Sequence, residues 1–107
     1  MPARMMVFAK VKAGEEEDFE RAFQQVTRKV KGTPGHVKDE LLRDVTEPKK
    51  EEGEPTQYIL LSEWESIDAF LAWEDAPIHR NTTTPMRPHW AGAVERRMYE
   101  VAFRLSD

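Results

Sequence analysis

The residues best suited to chemistry are a tryptophan and a histidine six positions apart, Trp73 and His79. A neutral imidazole can take a proton from a phenol near neutral pH, and the same group can ligate iron. At about 100° per residue, Trp73 falls off the apolar stripe that Ile67, Phe70 and Leu71 form on a short helix. It is therefore free to wall a pocket, with packing at an edge or interface as its competing role. His79 follows in a segment broken by Pro77, Pro85 and Pro88, where an ordered loop or broken helix is expected. His36 and His89 are the other imidazoles, and without cysteine the chain has no disulfide, no thiolate ligand and no thiol nucleophile. Arg80 and Arg87, near the candidate pocket mouth, are able to hold a propionate or another anion, although exposed arginines usually hold nothing specific.

Six elements must position these groups. Arg4 to Lys12 reads as a first strand, and Gly14 followed by Glu15, Glu16, Glu17 and Asp18 opens a helix whose positive end favours carboxylates. Phe19, Ala22, Phe23, Val26 and Val30 recur on one face of that helix, which runs to about Lys31 and stops at Gly32-Thr33-Pro34-Gly35. His36 to Val45 is a second strand of imperfect alternation, with helix as its competitor. Thr46 to Pro55 is a charged, solvated connection. Gln57 to Trp64 alternates as a third strand, Ser66 caps a short second helix ending near Glu74, and Ala93 to Leu105 alternates as a fourth strand. Trp64 is expected in the core, while the pattern does not place Trp90.

The 107 residues suit one domain, and 39% hydrophobic with 34% charged residues is the balance of a folded, soluble unit. The formal charge of −4, with Lys and Arg dispersed among acids, lacks the basic footprint that nucleic acid requires. No apolar run approaches the roughly 20 residues of a membrane span, and no signal-peptide pattern opens the chain, so the cytoplasm is the expected location. Strand, helix, strand, strand, helix, strand is the ferredoxin-like α+β order, with both helices on one face of an antiparallel sheet. The first and third strands are apolar on both faces, however, and helices can cover only one of them. Pairing two sheets face to face removes the exposed patch, so a homodimer forming a dimeric α+β barrel is expected, with a ligand pocket between helices and sheet in each subunit.

Val11-Lys12-Ala13-Gly14 before an acidic helix, Pro34-Gly35, Leu41-Leu42-Arg43, and Ser62-Glu63-Trp64-Glu65-Ser66 with Ala69-Phe70 and Trp73 occur in that order. The pattern resembles the antibiotic biosynthesis monooxygenase family over roughly residues 4 to 80, and the family's dimeric α+β barrels agree with the two-faced sheet. Some members oxygenate aromatic polyketides or quinols without metal or flavin, and others degrade heme. The heme-degrading branch is the nearer in sequence flavour. For it the resemblance implies an asparagine on the first strand, a tryptophan ending the second helix and an iron-ligating histidine after it. Trp73 matches the tryptophan, Val7 occupies the asparagine position, and His79 follows Trp73 more closely than in that branch.

Three functions follow as expectations. The first is a small monooxygenase acting on an electron-rich aromatic or quinol with no held cofactor. In that case His79 or Tyr58 assists deprotonation, Trp73 and His79 are the catalytic pair, and Val7, Tyr58, Phe70 and Trp73 line the substrate pocket. The second is heme binding or degradation with His79 as the cofactor ligand. The third is a non-enzymatic dimeric stress or interaction domain.

Overall fold

The computed structural model describes residues 1–46 and 51–105. The elements are β1 (Ala3–Val11), α1 (Glu16–Val30), β2 (His36–Arg43), β3 (Thr56–Trp64), α2 (Ile67–Glu74), α3 (His79–Thr83), a 3-10 helix (Thr84–His89) and β4 (Glu95–Glu100). The four strands form one antiparallel sheet in the order β2-β3-β1-β4, the ferredoxin-like α+β arrangement. Of the expected charged connection between β2 and β3, residues 47–50 lie outside the described residues.

The period of two along the strands separates the faces. Ala3, Met5, Ala9 and Val11 of β1 are buried, as are Tyr58 and Trp64 of β3. All of these but Ala9 form one core with Phe19, Ala22, Val26 and Val30 of α1 and Phe70 of α2, the α1 residues being the stripe the helical spacing predicts. The alternate residues Met6, Phe8, Ile59 and Leu61 are half-buried on the opposite face and belong to no core cluster.

The helix ends follow their chemistry. α1 carries Glu16, Glu17 and Asp18 in its first turn and Arg28 and Lys29 in its last, matching the macrodipole. The Ser66 hydroxyl accepts the Ala69 amide at 3.1 Å and so fixes the start of α2. The segment from Pro77 to Gly92, expected as a broken helix or loop, forms α3 and the 3-10 helix, with Pro88 inside the latter.

Two strand ends differ from the sequence reading. β2 stops at Arg43 rather than Val45, and β4 stops at Glu100 rather than Leu105. The reason for the second lies in β1, the strand that pairs with β4. Glu100 is already opposite Ala3, and the final bond runs from the Val101 amide to the Pro2 carbonyl. The chain beyond has no further strand to pair with, and Phe103 and Leu105 are 82% and 84% exposed.

β2 also carries an irregularity. His36 pairs with Trp64 and Lys38 with Glu63, so Val37 is an extra residue. A β-bulge of this kind shifts the phase of the strand and re-aims its side chains.

Candidate active site

A cavity of about 240 Å³ lies between the helices and the sheet. Its floor is Met5, Val7, Leu60 and Ser62, and its helical side includes Phe23, Val26, Phe70 and Met86. Trp64, Trp73 and Trp90 also line it, so three large aromatic rings shape a mostly apolar slot.

Trp73 and His79 meet in this slot. Their ring centroids are 4.3 Å apart and nearly perpendicular, at 83°. Trp73 leans in turn on Trp64 at 5.9 Å and Phe70 at 6.4 Å, because it sits one turn along α2 from Phe70 while that helix packs over the end of β3. α3 begins at His79, and the chain reverses through Ala76, whose carbonyl accepts the His79 amide at 3.0 Å. The His79 ring makes no hydrogen bond among the described residues. Burial holds its pKa below the ordinary histidine value; the Glu74 carboxylate opposes this, while the Arg87 and Arg96 cations reinforce it. The neutral imidazole therefore predominates at neutral pH, with a nitrogen lone pair open to a ligand.

Two of the charges around His79, Glu74 and Arg96, are paired with each other. Arg96 of β4 grips Glu74 through two contacts, Nε to Oε2 at 2.5 Å and Nη2 to Oε1 at 2.6 Å. The same guanidinium lies over the Phe70 ring at 5.7 Å. Arg87 lines the cavity, but Arg80 does not.

The other residues singled out in the sequence are distributed unevenly. Val7, Phe70 and Trp73 line this cavity. Tyr58 does not, and its expected place in the substrate pocket is corrected accordingly. Its hydroxyl donates to Glu20 Oε2 at 2.6 Å, and Arg43 holds the same oxygen at 2.7 Å. Burial first, then the Glu20 bond, push the phenol up to about 12, so it is no base at neutral pH. The group is structural: Tyr58→Phe is expected to cost about 1 kcal/mol, read as a fall in Tm of about 4–8 °C. An unchanged Tm would mean the bond contributes nothing.

His89 is likewise spent elsewhere. Its Nδ1 lies 2.9 Å from Glu15 Oε1, tying the 3-10 helix to the start of α1. His36 stands behind the cavity, edge-on to Trp64 with centroids 5.1 Å apart. The sequence reading missed Asp39, Glu74 and Arg96, all in the lining. Only the inward phase of their strands and helix would have found them.

A family model described as antibiotic biosynthesis monooxygenase matches residues 2–84. The chain belongs to the antibiotic biosynthesis monooxygenase family. Among curated relatives, a 42.8 kDa protein in the whiE locus of Streptomyces coelicolor is 34% identical over 83 residues, covering 78% of this chain and 19% of that protein. Protein SchA of Streptomyces halstedii is 28% identical over 94 residues, covering 88% of this chain and 23% of that protein. The chain thus spans about a fifth of the length of the curated relatives it matches. Among solved structures, SnoaB, a cofactor-independent oxygenase from Streptomyces nogalater, superposes with a TM-score of 0.72 at 20% identity over 100% of both chains. That likeness is one of fold.

Heme, the ligand that the resemblance to the heme-degrading branch implies, fits these residues poorly. His79 offers an imidazole, but Val7 brings no hydrogen-bonding group to the floor. A volume of about 240 Å³ also lies below the ~300–1,000 Å³ typical of clefts for drug-sized molecules. No helix among the described residues is long and apolar enough to cross a membrane.

Proposed function

We propose that this chain is an oxygenase of an electron-rich phenol or quinol, with His79 as general base and Trp73 as the wall that fixes the ring. The observation that carries this reading is the neutral, unpartnered imidazole standing edge-on to Trp73 inside an apolar slot. In such a slot the base removes the phenol proton, and the resulting phenolate is electron-rich enough to reduce dioxygen. Oxygen adds at a ring carbon bearing hydrogen, the O–O bond breaks, one oxygen stays as a carbonyl and the other leaves as water. The substrate loses two hydrogens and gains one oxygen, so it supplies both electrons itself. The protein's contribution is position, desolvation and the proton acceptor. SnoaB, of the same fold, is a cofactor-independent oxygenase, which supports the reading.

The test is oxygen consumption with a panel of phenols and quinols, with hemin titration alongside. Uptake with at least one phenol and an unchanged Soret band are expected. No uptake across the panel removes the oxygenase reading, and a Soret shift lost in His79→Ala reassigns the pocket to heme.

We also infer that the chain acts as a homodimer, two sheets packing through the face that carries Met6, Phe8, Ile59 and Leu61. Those apolar side chains lie outside the core, and an uncovered patch of this kind is costly in water. Light scattering is expected to give twice the 12.5 kDa chain mass, and Phe8→Glu is expected to give a folded monomer. A wild-type monomer at micromolar concentration removes the barrel.

A further inference from the structure

The cavity has a second polar pole, on the β2 side and away from His79. Asp39 lines the cavity from β2, in register with Ser62 of β3, which stands opposite Met5 of β1. Its Oδ2 accepts the Thr27 hydroxyl of α1, and its Oδ1 lies 3.1 Å from His36 Nε2. The side chains of His36 and Asp39 are only 5% and 10% exposed. Although buried, His36 Nε2 makes no hydrogen bond, because the carboxylate is close but not aligned with it.

This arrangement is costly for a core. A buried carboxylate and an orphaned imidazole nitrogen both lose water without full repayment, whereas Leu41 and Leu60 nearby fill equivalent inward positions with apolar side chains. It also required a bulge. In a regular strand, residues three apart point to opposite faces, so His36 and Asp39 would be separated by the sheet. The extra residue at Val37 reverses the phase and brings both inward. Ser62 adds a donor: its oxygen already accepts Trp64 Nε1–H at 2.9 Å, and a hydroxyl keeps its own proton to give.

The two poles lie toward opposite edges of the sheet, Asp39 on β2 and the Arg96–Glu74 pair beside His79 toward β4. Three strand spacings separate those edges, about 14 Å, and the floor between them is apolar. We propose that Asp39, braced by Thr27 and flanked by His36, is a specificity-determining residue that takes a hydroxyl group at the end of the aromatic ligand remote from His79. The inference rests on the cavity being the aromatic-ligand site and is independent of whether the ligand is oxygenated. A hydroxyl donating to the carboxylate makes a charge-assisted bond, roughly twice as strong as a neutral one.

Quenching of tryptophan fluorescence reads binding directly, since Trp64 and Trp73 line the slot. The probes are a naphthalenediol with its hydroxyls on opposite rings and the naphthol lacking one of them. Wild-type protein is expected to prefer the diol by about 10-fold or more, the worth of one hydrogen bond to a charged group. Asp39→Asn, which keeps the shape and one acceptor, is expected to cut that preference several-fold, and Asp39→Leu to abolish it, with naphthol affinity unchanged. Thr27→Val gives a parallel partial loss if Asp39→Leu does not fold. Equal loss for both probes, or a preference that survives in Asp39→Leu, overturns the proposal and leaves the cavity reading intact. Binding of neither probe to wild type overturns both.

Discussion

Replacing His79 with alanine is expected to lower oxygen consumption with the active phenol by about 10²–10⁴-fold, the usual worth of a positioned general base. The substitution removes a ring that makes no hydrogen bond among the described residues, so the fold should survive and the loss should fall on kcat rather than on expression. The pH profile separates a base from a packing group. Burial, reinforced by Arg87 and Arg96 and opposed by Glu74, lowers the folded-state pKa below the ordinary histidine value of 6.5. The wild-type rate should therefore rise on an acid limb centred below 6.5 and stay flat through neutrality. Glu74→Gln removes the opposing carboxylate and should move that limb further down. Added imidazole should restore part of the activity to the alanine variant. A His79→Ala enzyme with wild-type rate and the same acid limb would show that the proton goes elsewhere.

The same shift has a stability counterpart. Because the folded pKa lies below the unfolded one, the unfolded chain binds the proton more readily between the two values. The neutral ring's contribution to stability is present above 6.5 and is lost as pH falls through the folded value. His79→Ala should therefore flatten the acid side of the stability curve, read by Tm against pH.

The second large effect is expected at Gly35, where alanine should destabilise the chain by about 2–5 kcal/mol. The residue has φ +83°, in the left-handed region, and that costs a side-chain-bearing residue roughly 1–2 kcal/mol. In addition, a Cβ there would stand 2.4 Å from Ala69 Cβ of α2, closer than carbon atoms approach, and forcing such a contact costs about 1–3 kcal/mol. Neither relaxation is free. Gly35's carbonyl accepts the Glu65 amide at 2.8 Å, and Ala69's amide is held by Ser66, so the turn before β2 and the cap of α2 are locked together. Pushing them apart would also disturb Trp64 and the wall that Trp73 leans on. Thermal unfolding should show a drop in Tm on the order of 10 °C or more. A variant melting within a few degrees of wild type would mean that α2 is not seated on this turn.

Where the strands and helices lie was legible for local reasons. α1 and β3 are strongly periodic, Ser66 is a side-chain cap, and Gly32 to Gly35 stops a helix, so each of these is decided within a few residues. The bulge at Val37 of β2 was not legible in its alternation. It could not be seen without the partner strand, because a register exists only between two strands. The end of β4 was misread for the same reason. Phe103 and Leu105 continue the alternation, but a strand needs a neighbour, and pairing with β1 ends at Ala3.

By itself, the sequence determined the fold class, the family pattern and the pairing of Trp73 with His79 as candidates, since these depend on spacing along one short stretch of chain. Only the tertiary structure decided which other groups share their cavity. Tyr58 aligns with the inward face of β3, yet its hydroxyl is taken by Glu20 from α1, 38 residues away in sequence. Asp39 reads as one charge among several on an edge strand, until a bulge and α1 turn it inward beside His36 and Thr27. The physical reason is common to both. Burial, partnership and pKa are properties of a side chain's neighbours, and those neighbours are brought together by long-range sheet pairing and helix packing.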